Sequence, residues 1–163
     1  MAPAVGTQVM EASYEIELRH VPRRDLAVVK FHAKLGELGG KLDQAFAAVS
    51  KHLTHAGIAF QGPAVAHYVP ISKDSFDVAA GFVVPSPISG DGEVMPAELP
   101  ACDAAATMHV GSYDRLADAY AAIQRWMDEN GKHPENSMWE EYWSDDPTPP
   151  RTDVYWPVKA QRD

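Results

Sequence analysis

An α+β fold is predicted from two features of the sequence. Two helical patterns, near residues 41–55 and 112–131, repeat their apolar positions and their terminal glycines at a constant spacing of 74 residues. Each helical pattern directly follows a strand pattern and is itself followed by two more. We therefore expect two β-α-β-β units related by a pseudo-twofold axis. They would share one antiparallel sheet, with both helices on one face and a ligand cleft on the other.

The first repeat is expected over about residues 14–84, after a flexible leader at residues 1–12. Its strands are predicted from alternating or continuous apolar runs rich in β-branched and aromatic residues. These strands cover residues 14–18, 26–31, 64–69 and 76–84. The helix between them ends at Gly57, because glycine accepts the left-handed conformation that commonly terminates helices.

The second repeat is expected over about residues 95–159, after a loop at 85–92, with strands at 104–110, 138–143 and 152–158. Corresponding positions in the two halves are Leu42 and Leu116, Phe46 and Tyr120, Val49 and Ile123, Leu53 and Met127, Gly57 and Gly131, and Tyr68 and Tyr142. In the strands that precede the helices, the prediction aligns Phe31-His32 with Met108-His109.

Length and charge limit the classes of function. The chain has 163 residues, enough for one domain with its own core, expected over residues 13–159. A formal net charge of −9 argues against direct nucleic-acid binding, which needs a basic surface. The single Cys102 excludes an internal disulfide and fits a reducing compartment. The sequence has no signal-peptide pattern and no apolar run long enough for a membrane span, so a cytoplasmic location is expected.

The predicted strand at residues 138–143 is the main candidate for a site. Side chains alternate along a strand, so Glu140 and Tyr142 point one way. The residues that point the other way are Trp139, Glu141 and Trp143. At the spacing of 74 residues Glu140 corresponds to Ala66, so only the second half carries a carboxylate at this position.

Tyr155 is expected to share the cleft with Glu140. In the last strand Val154 and Trp156 form an apolar row suited to the helix side, which would turn Tyr155 toward the cleft. The corresponding first-half residues on that face are the small Ala79 and Gly81, which would leave room for a flat ligand.

No metal ion or cofactor is expected. His52 and His55 have a helical spacing that a metal could use, but no third ligand is apparent. His32 and His109 are interpreted as structural, and Cys102 as a small buried residue without a nucleophile motif. The sequence contains no phosphate-binding loop, dinucleotide fingerprint or hydrolase serine elbow.

Several short motifs, in this order and spacing, resemble the GyrI-like small-molecule-binding domains. They are Phe76-Asp77-Val78-Ala79-Ala80-Gly81-Phe82, Gly111-Ser112-Tyr113-Asp114, Trp139-Glu140-Glu141-Tyr142 followed by Asp146-Pro147, and Thr152-Asp153-Val154-Tyr155-Trp156-Pro157-Val158. The resemblance covers about residues 13–159. It implies a cleft with aromatic walls and a central glutamate, Glu140, that attracts flat hydrophobic cations.

The resemblance also gives the expected site and three hypotheses for its function. The ligand-binding residues would be Glu140, Tyr142, Tyr155, Tyr68, Trp139, Phe31 and Met108. Regulators of the family carry a helix-turn-helix segment in front, and this chain has no room for one, so a stand-alone binding protein for xenobiotics is the first hypothesis.

The second hypothesis is a hydrolase, because some stand-alone members resembling this chain open cyclopropane-containing natural products. Glu140 would then act as general base or acid, with Tyr142 or Tyr155 orienting the electrophile. The third hypothesis is a protein inhibitor of DNA gyrase. A small molecule is the expected partner in the first two, and a homodimer is left open.

Overall fold

The computed structural model describes residues 14–60, 62–111, 115–143 and 150–160. Within these residues eight strands form one sheet in the order β1-β6-β8-β7-β3-β4-β2-β5. The strands are β1 (Glu17–Val21), β2 (Arg24–Lys34), β3 (Ala64–Ser72), β4 (Ser75–Val84), β5 (Val94–Leu99), β6 (Cys102–Val110), β7 (Met138–Trp143) and β8 (Arg151–Pro157). The helices are α1 (Leu38–Ala56) and α2 (Leu116–Glu129), and a single 3-10 turn at Leu35–Glu37 leads into α1. The predicted leader lies outside the described residues.

All neighbouring strands are antiparallel, and their order is symmetric about the contact between β3 and β7. On one side of this contact lie β3, β4 and β2, and on the other lie their counterparts β7, β8 and β6. Ala66 pairs directly with Glu140 at the centre of the contact. These residues are also equivalent in the two repeats, so the pseudo-twofold axis passes between them. The predicted α+β class with duplicated β-α-β-β units is confirmed.

Both helices lie on the same face of the sheet. α1 buries Ala45 against Ala66, and α2 buries Ile123 against Val154. Ala66, Glu140 and Val154 are consecutive cross-strand partners, and directly paired residues share a face. Gly57 ends α1 with a φ of 69°, in the left-handed conformation expected from the sequence.

The two edge strands are exchanged between the halves. β1 belongs to the first half but pairs with β6, whereas β5 belongs to the second half and pairs with β2. β5 was not predicted, because Pro96 and Glu98 interrupt its apolar pattern. The first strand was predicted at residues 14–18, and β1 lies three residues later.

The sheet is rolled strongly around its helix-free face. Two residues, Pro22 and Arg23, connect β1 to β2, and this connection spans at most about 11 Å. In a flat sheet these two strands would lie six spacings apart, about 28 Å. The rolled face therefore encloses its own core, which consists of Val21, Leu26, Val28, Val65, Leu99, Ala104, Ala106, Trp139 and Tyr155. No helix in the described residues is long and apolar enough to cross a membrane.

Gly81 in β4 marks the point where two backbones come closest. A Cβ atom at this position would lie 1.8 Å from the carbonyl oxygen of Ala27 on β2. The absence of a side chain is therefore required for the contact between β4 and β2. Gly81 was expected to leave space for a ligand, but the backbone of β2 fills the space next to it.

Candidate functional site

Glu140 lies at the centre of β7 and is only 6% exposed. The hydroxyl of Tyr120 on α2 donates to its Oε2 at 2.5 Å, and the hydroxyl of Tyr142 donates to its Oε1 at 2.5 Å. The hydroxyls of Tyr142 and its pseudo-symmetric counterpart Tyr68 are 2.6 Å apart. The phenol hydroxyls around the carboxyl group therefore come from both halves of the domain, Tyr68 from the first and Tyr120 and Tyr142 from the second.

The charge of Glu140 is poorly compensated. Burial raises the pKa of Glu140, and hydrogen bonds from Tyr120, Tyr142 and Tyr68, together with the nearby His109, only partly oppose this. Burial and the charge of Glu140 in turn raise the pKa of each of the three tyrosines. Within the described part of the chain, Glu140 forms no ion pair with a lysine or arginine.

We call the strip of the helix face between α1 and α2, over β3 and β7, the groove; Glu140 lies in this strip and aromatic side chains flank it. α1 packs on β2 and β4 and α2 packs on β6 and β8, so the central strands β3 and β7 lie between the helices. Phe46 of α1 contacts the Tyr142 ring edge to face, with centroids 5.9 Å apart. Tyr120, the counterpart of Phe46 on α2, contacts Trp156 in the same way at 5.8 Å. Phe46 and Tyr120 are both partly exposed, and they flank the groove from the two helices.

This constellation, a buried glutamate under aromatic residues at the junction of two repeats, agrees with the comparison of the sequence with known families. The sequence model of the GyrI-like small molecule binding domain matches residues 14–159. The chain belongs to this family. The resemblance inferred from the short motifs is therefore confirmed over nearly the whole chain.

Several solved structures share the fold of this chain. The C-terminal domain of EcmrR has a TM-score of 0.77 and 22% identity, over 90% of this chain and 98% of that one. SAV2435 bound to tetraphenylphosphonium has a TM-score of 0.65 and 11% identity, over 89% and 94%. A hydrolase from Listeria innocua has a TM-score of 0.65 and 14% identity, over 89% and 92%. No curated protein sequence matches the chain significantly.

The GyrI-like fold divides the seven predicted ligand residues between two faces. Glu140, Tyr142 and Tyr68 come together on the helix face, and Phe31 packs in the same cluster as Tyr68. The other three, which are Trp139, Tyr155 and Met108, lie on the helix-free face.

The prediction that Tyr155 shares a face with Glu140 is wrong, because β7 pairs with β8 in a register that sets Glu140 opposite Val154. Tyr155 instead pairs with Trp139 on the helix-free face, and the two rings stack with centroids 5.2 Å apart. The side of β8 that packs on the helix was predicted correctly, but Glu140 was assigned to the other side.

The predicted alignment of Phe31 with Met108 is wrong by one residue. Phe31 pairs with Val78, and His109 pairs with Thr152, which is the counterpart of Val78. His109 is therefore the counterpart of Phe31, and a slip of one residue moves a side chain to the opposite face. Met108 is 48% exposed on the helix-free face, whereas His109 is buried beside Tyr14, whose hydroxyl lies 2.7 Å from its Nδ1.

Tyr120 is the hydrogen-bond partner of Glu140 that was not predicted from the sequence. It was assigned to the apolar stripe of the second helix, which is where its ring lies. The sequence feature that could have identified Tyr120 is its correspondence to Phe46, because the second half then has a hydroxyl where the first half has none. Glu140 differs from Ala66 in the same way, with a carboxylate in the second half only.

Glu141 lies on the helix-free face and has a different environment from its neighbour Glu140. Its Oε2 accepts from Arg24 Nη2 at 2.7 Å and from Trp139 Nε1 at 3.3 Å. This carboxylate therefore has a cation of its own. It is buried within the rolled sheet, and its contacts join β7 to β2 across the sheet interior.

Two pockets open on the helix-free face. The first has a volume of about 390 Å³ and is lined by Lys30, Phe31, His67, Val69, Asp77, Val78 and Ala79. The second has about 290 Å³ and is lined by Glu15, Glu17, Arg19, Ala106, Thr107, Met108, Arg151, Asp153 and Tyr155. In the second, Arg19 pairs with Glu17 and Arg151 pairs with Asp153. We favour the groove over Glu140, because its buried charge lacks such a partner among the described residues.

Glu141→Gln is expected to destabilise the fold by about 1–3 kcal/mol. The change leaves the Arg24 guanidinium, whose side chain is 26% exposed, without its anion. Removing one partner of a fully buried pair costs more, but the partial exposure of Arg24 reduces the effect. Chemical denaturation measures it, with Glu140→Gln as the matched control at the adjacent position. A Glu141→Gln variant as stable as the parent would contradict this structural role.

Proposed function

We propose that this domain binds amphipathic, positively charged small molecules in the groove over Glu140. The observation that carries the proposal is a carboxyl group that is 6% exposed and has phenol hydroxyls as its hydrogen-bond partners. A buried carboxylate without a lysine or arginine partner is costly in free energy, and a bound cation offsets that cost. The empty site is therefore electrostatically suited to a cationic ligand.

The walls of the groove favour ligands with aromatic or flat apolar bodies. Phe46, Tyr120, Tyr142 and Tyr68 offer ring faces and edges around the carboxyl group. A desolvated cation gains about 0.5–2 kcal/mol from each ring face it contacts. Such walls select by shape and charge, so we expect broad specificity and a role in sensing or sequestering xenobiotics in the cytoplasm. Tetraphenylphosphonium, the ligand in the SAV2435 structure, has this chemistry.

A pair of ligands with the same shape tests the proposal. A cationic aromatic dye should bind more tightly than its neutral isostere by about 1–3 kcal/mol, the range of a hydrogen bond or contact to a charged group. Because the pKa of Glu140 is raised, the affinity of the cation should fall as pH is lowered through that value, and the affinity of the neutral dye should not. Fluorescence titrations across this pH range measure both. Equal affinities at every pH would contradict the proposal.

A second candidate function is hydrolysis of strained electrophiles in the same groove. The observation in its favour is a carboxyl group of raised pKa within hydrogen-bond distance of two phenols, an arrangement suited to general acid–base catalysis. Incubation with cyclopropane-containing electrophiles, followed by mass spectrometry, decides between the functions. Ring-opened product that disappears in Glu140→Gln would support catalysis, and tight binding without product would support the binding function. Gyrase inhibition stays a prediction, which a supercoiling assay tests.

A further inference from the structure

The two walls of the groove differ in polarity although they are built from equivalent positions. The sheet register relates four pairs of residues on the helix face: Val29 and Thr107, Phe31 and His109, Ala66 and Glu140, and Val78 and Thr152. The spacing of 74 residues adds a fifth pair on the helices, Phe46 and Tyr120. In each pair the first-half residue is apolar and the second-half residue is polar. Apart from the hydroxyl of Tyr68, which has an equivalent in Tyr142, the wall beneath α1 is therefore apolar, and the wall beneath α2 carries the additional hydrogen-bonding groups.

Thr152 is the polar residue of this wall whose side-chain hydroxyl has no hydrogen-bond partner among the described residues. It is 0% exposed. Its cross-strand partners are His109 on one side and Tyr142 on the other. Buried hydroxyls are nearly always hydrogen-bonded, so an unpaired one beside a proposed binding site indicates a ligand group or a water as its partner.

The strand register sets Thr152 and Glu140 near each other on the helix face of the sheet. Glu140 pairs with Val154, so Thr152 is its diagonal neighbour on the same face. Diagonal neighbours in an antiparallel sheet have backbones about 7–8 Å apart, and their side chains approach more closely. A head group with more than one N–H can therefore donate to the carboxylate and to the threonine hydroxyl together.

We propose that the groove binds its ligand in one orientation, with an N–H-bearing ammonium or amidinium head on the second-half wall between Glu140 and Thr152. The apolar body then lies against the first-half wall beneath α1. This inference rests on the proposed function and deepens it. Fully alkylated cations supply the charge but no donor, so they satisfy Glu140 and leave the Thr152 hydroxyl unpaired.

Two probes with one aromatic body test the inference: 2-(aminomethyl)naphthalene, protonated at neutral pH, and its N,N,N-trimethyl derivative. The affinity ratio of the two probes is measured by calorimetry in the parent and in Thr152→Val, which keeps the shape and removes the hydroxyl. We expect this ratio to fall by about three- to tenfold in the variant, the contribution of one hydrogen bond. Comparing ratios cancels the different hydration of the two cations.

Thr107→Val is the matched control. Thr107 lies on the same face, but its hydroxyl already donates to the Glu15 carbonyl oxygen at 2.9 Å, so its removal should leave the ratio unchanged. Thr152→Val should unfold at or above the parent's temperature, because it removes an unpaired buried hydroxyl. An unchanged ratio in Thr152→Val, or an equal change in Thr107→Val, would overturn the inference.

The neutral 2-methylnaphthalene separates this inference from the proposed function. If both cations bind more tightly than the neutral compound and Thr152→Val leaves their ratio unchanged, the proposed function stands and the inference falls. If neither cation binds more tightly than the neutral compound, both fall. A ratio that depends on Thr152 and not on Thr107 supports both.

Discussion

Glu140→Gln should weaken the binding of cationic ligands by about 1–3 kcal/mol, or roughly five- to 150-fold, and leave neutral ligands of the same shape almost unaffected. Glutamine keeps the volume of the side chain and an oxygen that can accept from Tyr120 or Tyr142. Only the negative charge is removed, so the loss of affinity should be large for cationic ligands and small for neutral ones. Calorimetric titration with a cationic dye and its neutral isostere measures this difference.

The same substitution should not destabilise the empty protein at neutral pH. Burial raises the pKa of Glu140 above its ordinary value of 4.5, so the folded state binds this proton more tightly than the unfolded state. The resulting stabilisation is complete below that ordinary value and is lost as pH rises through the raised one. Above it, the parent carries a buried carboxylate that glutamine lacks. Glu140→Gln should then be as stable as the parent or slightly more stable, as expected for a site that trades stability for function.

Three outcomes of the Glu140 experiment lead to different conclusions. Equal losses for cationic and neutral ligands would mean that Glu140 shapes the groove and does not select charge. No loss for either ligand would place Glu140 outside the site. A large loss of stability at neutral pH would show that its bonds to the tyrosines outweigh its burial, and the neighbouring Glu141→Gln variant provides the scale for that comparison.

Local sequence patterns predicted the helices and most of the strands, because apolar periodicity and glycine stops depend on neighbouring residues. The repeat supplied the global symmetry, since equivalent positions such as Phe46 and Tyr120 recur at one spacing. β5 was not predicted because its sequence, which contains Pro96 and Glu98, shows little alternation of apolar and polar residues. These elements show that the architecture follows from local pattern and internal comparison.

The composition of the site was harder to predict because it depends on strand register. Periodicity shows that Glu140 and Tyr142 share a face, but it does not show whether that face meets the helices. The pairing of Glu140 with Val154 decides this, and it is a contact between two different strands. The same limitation placed Met108 where His109 lies, because a shift of one residue changes the face and leaves the pattern intact.

Gly81→Ala should destabilise the domain by more than about 4 kcal/mol, which is a large part of the stability of a typical domain. The added Cβ would lie 1.8 Å from the Ala27 carbonyl oxygen and 2.8 Å from its carbonyl carbon. Both atoms belong to the backbone of β2, so no side-chain rotation relieves the overlap. β4 would have to separate from β2, and β2 is the strand that links β5 to the sheet.

Gly40→Ala is the matched control for this prediction. Gly40 lies in the first turn of α1, and nothing would lie within 4 Å of its added Cβ. Alanine in a helix is favoured over glycine by about 0.5–1 kcal/mol, so this variant should be more stable than the parent. Urea unfolding followed by circular dichroism measures both. We expect Gly81→Ala to be largely unfolded under conditions in which Gly40→Ala is folded. A Gly81→Ala variant within 1 kcal/mol of the parent would show that β4 and β2 can separate at little cost, contrary to the close approach on which the rolled sheet depends.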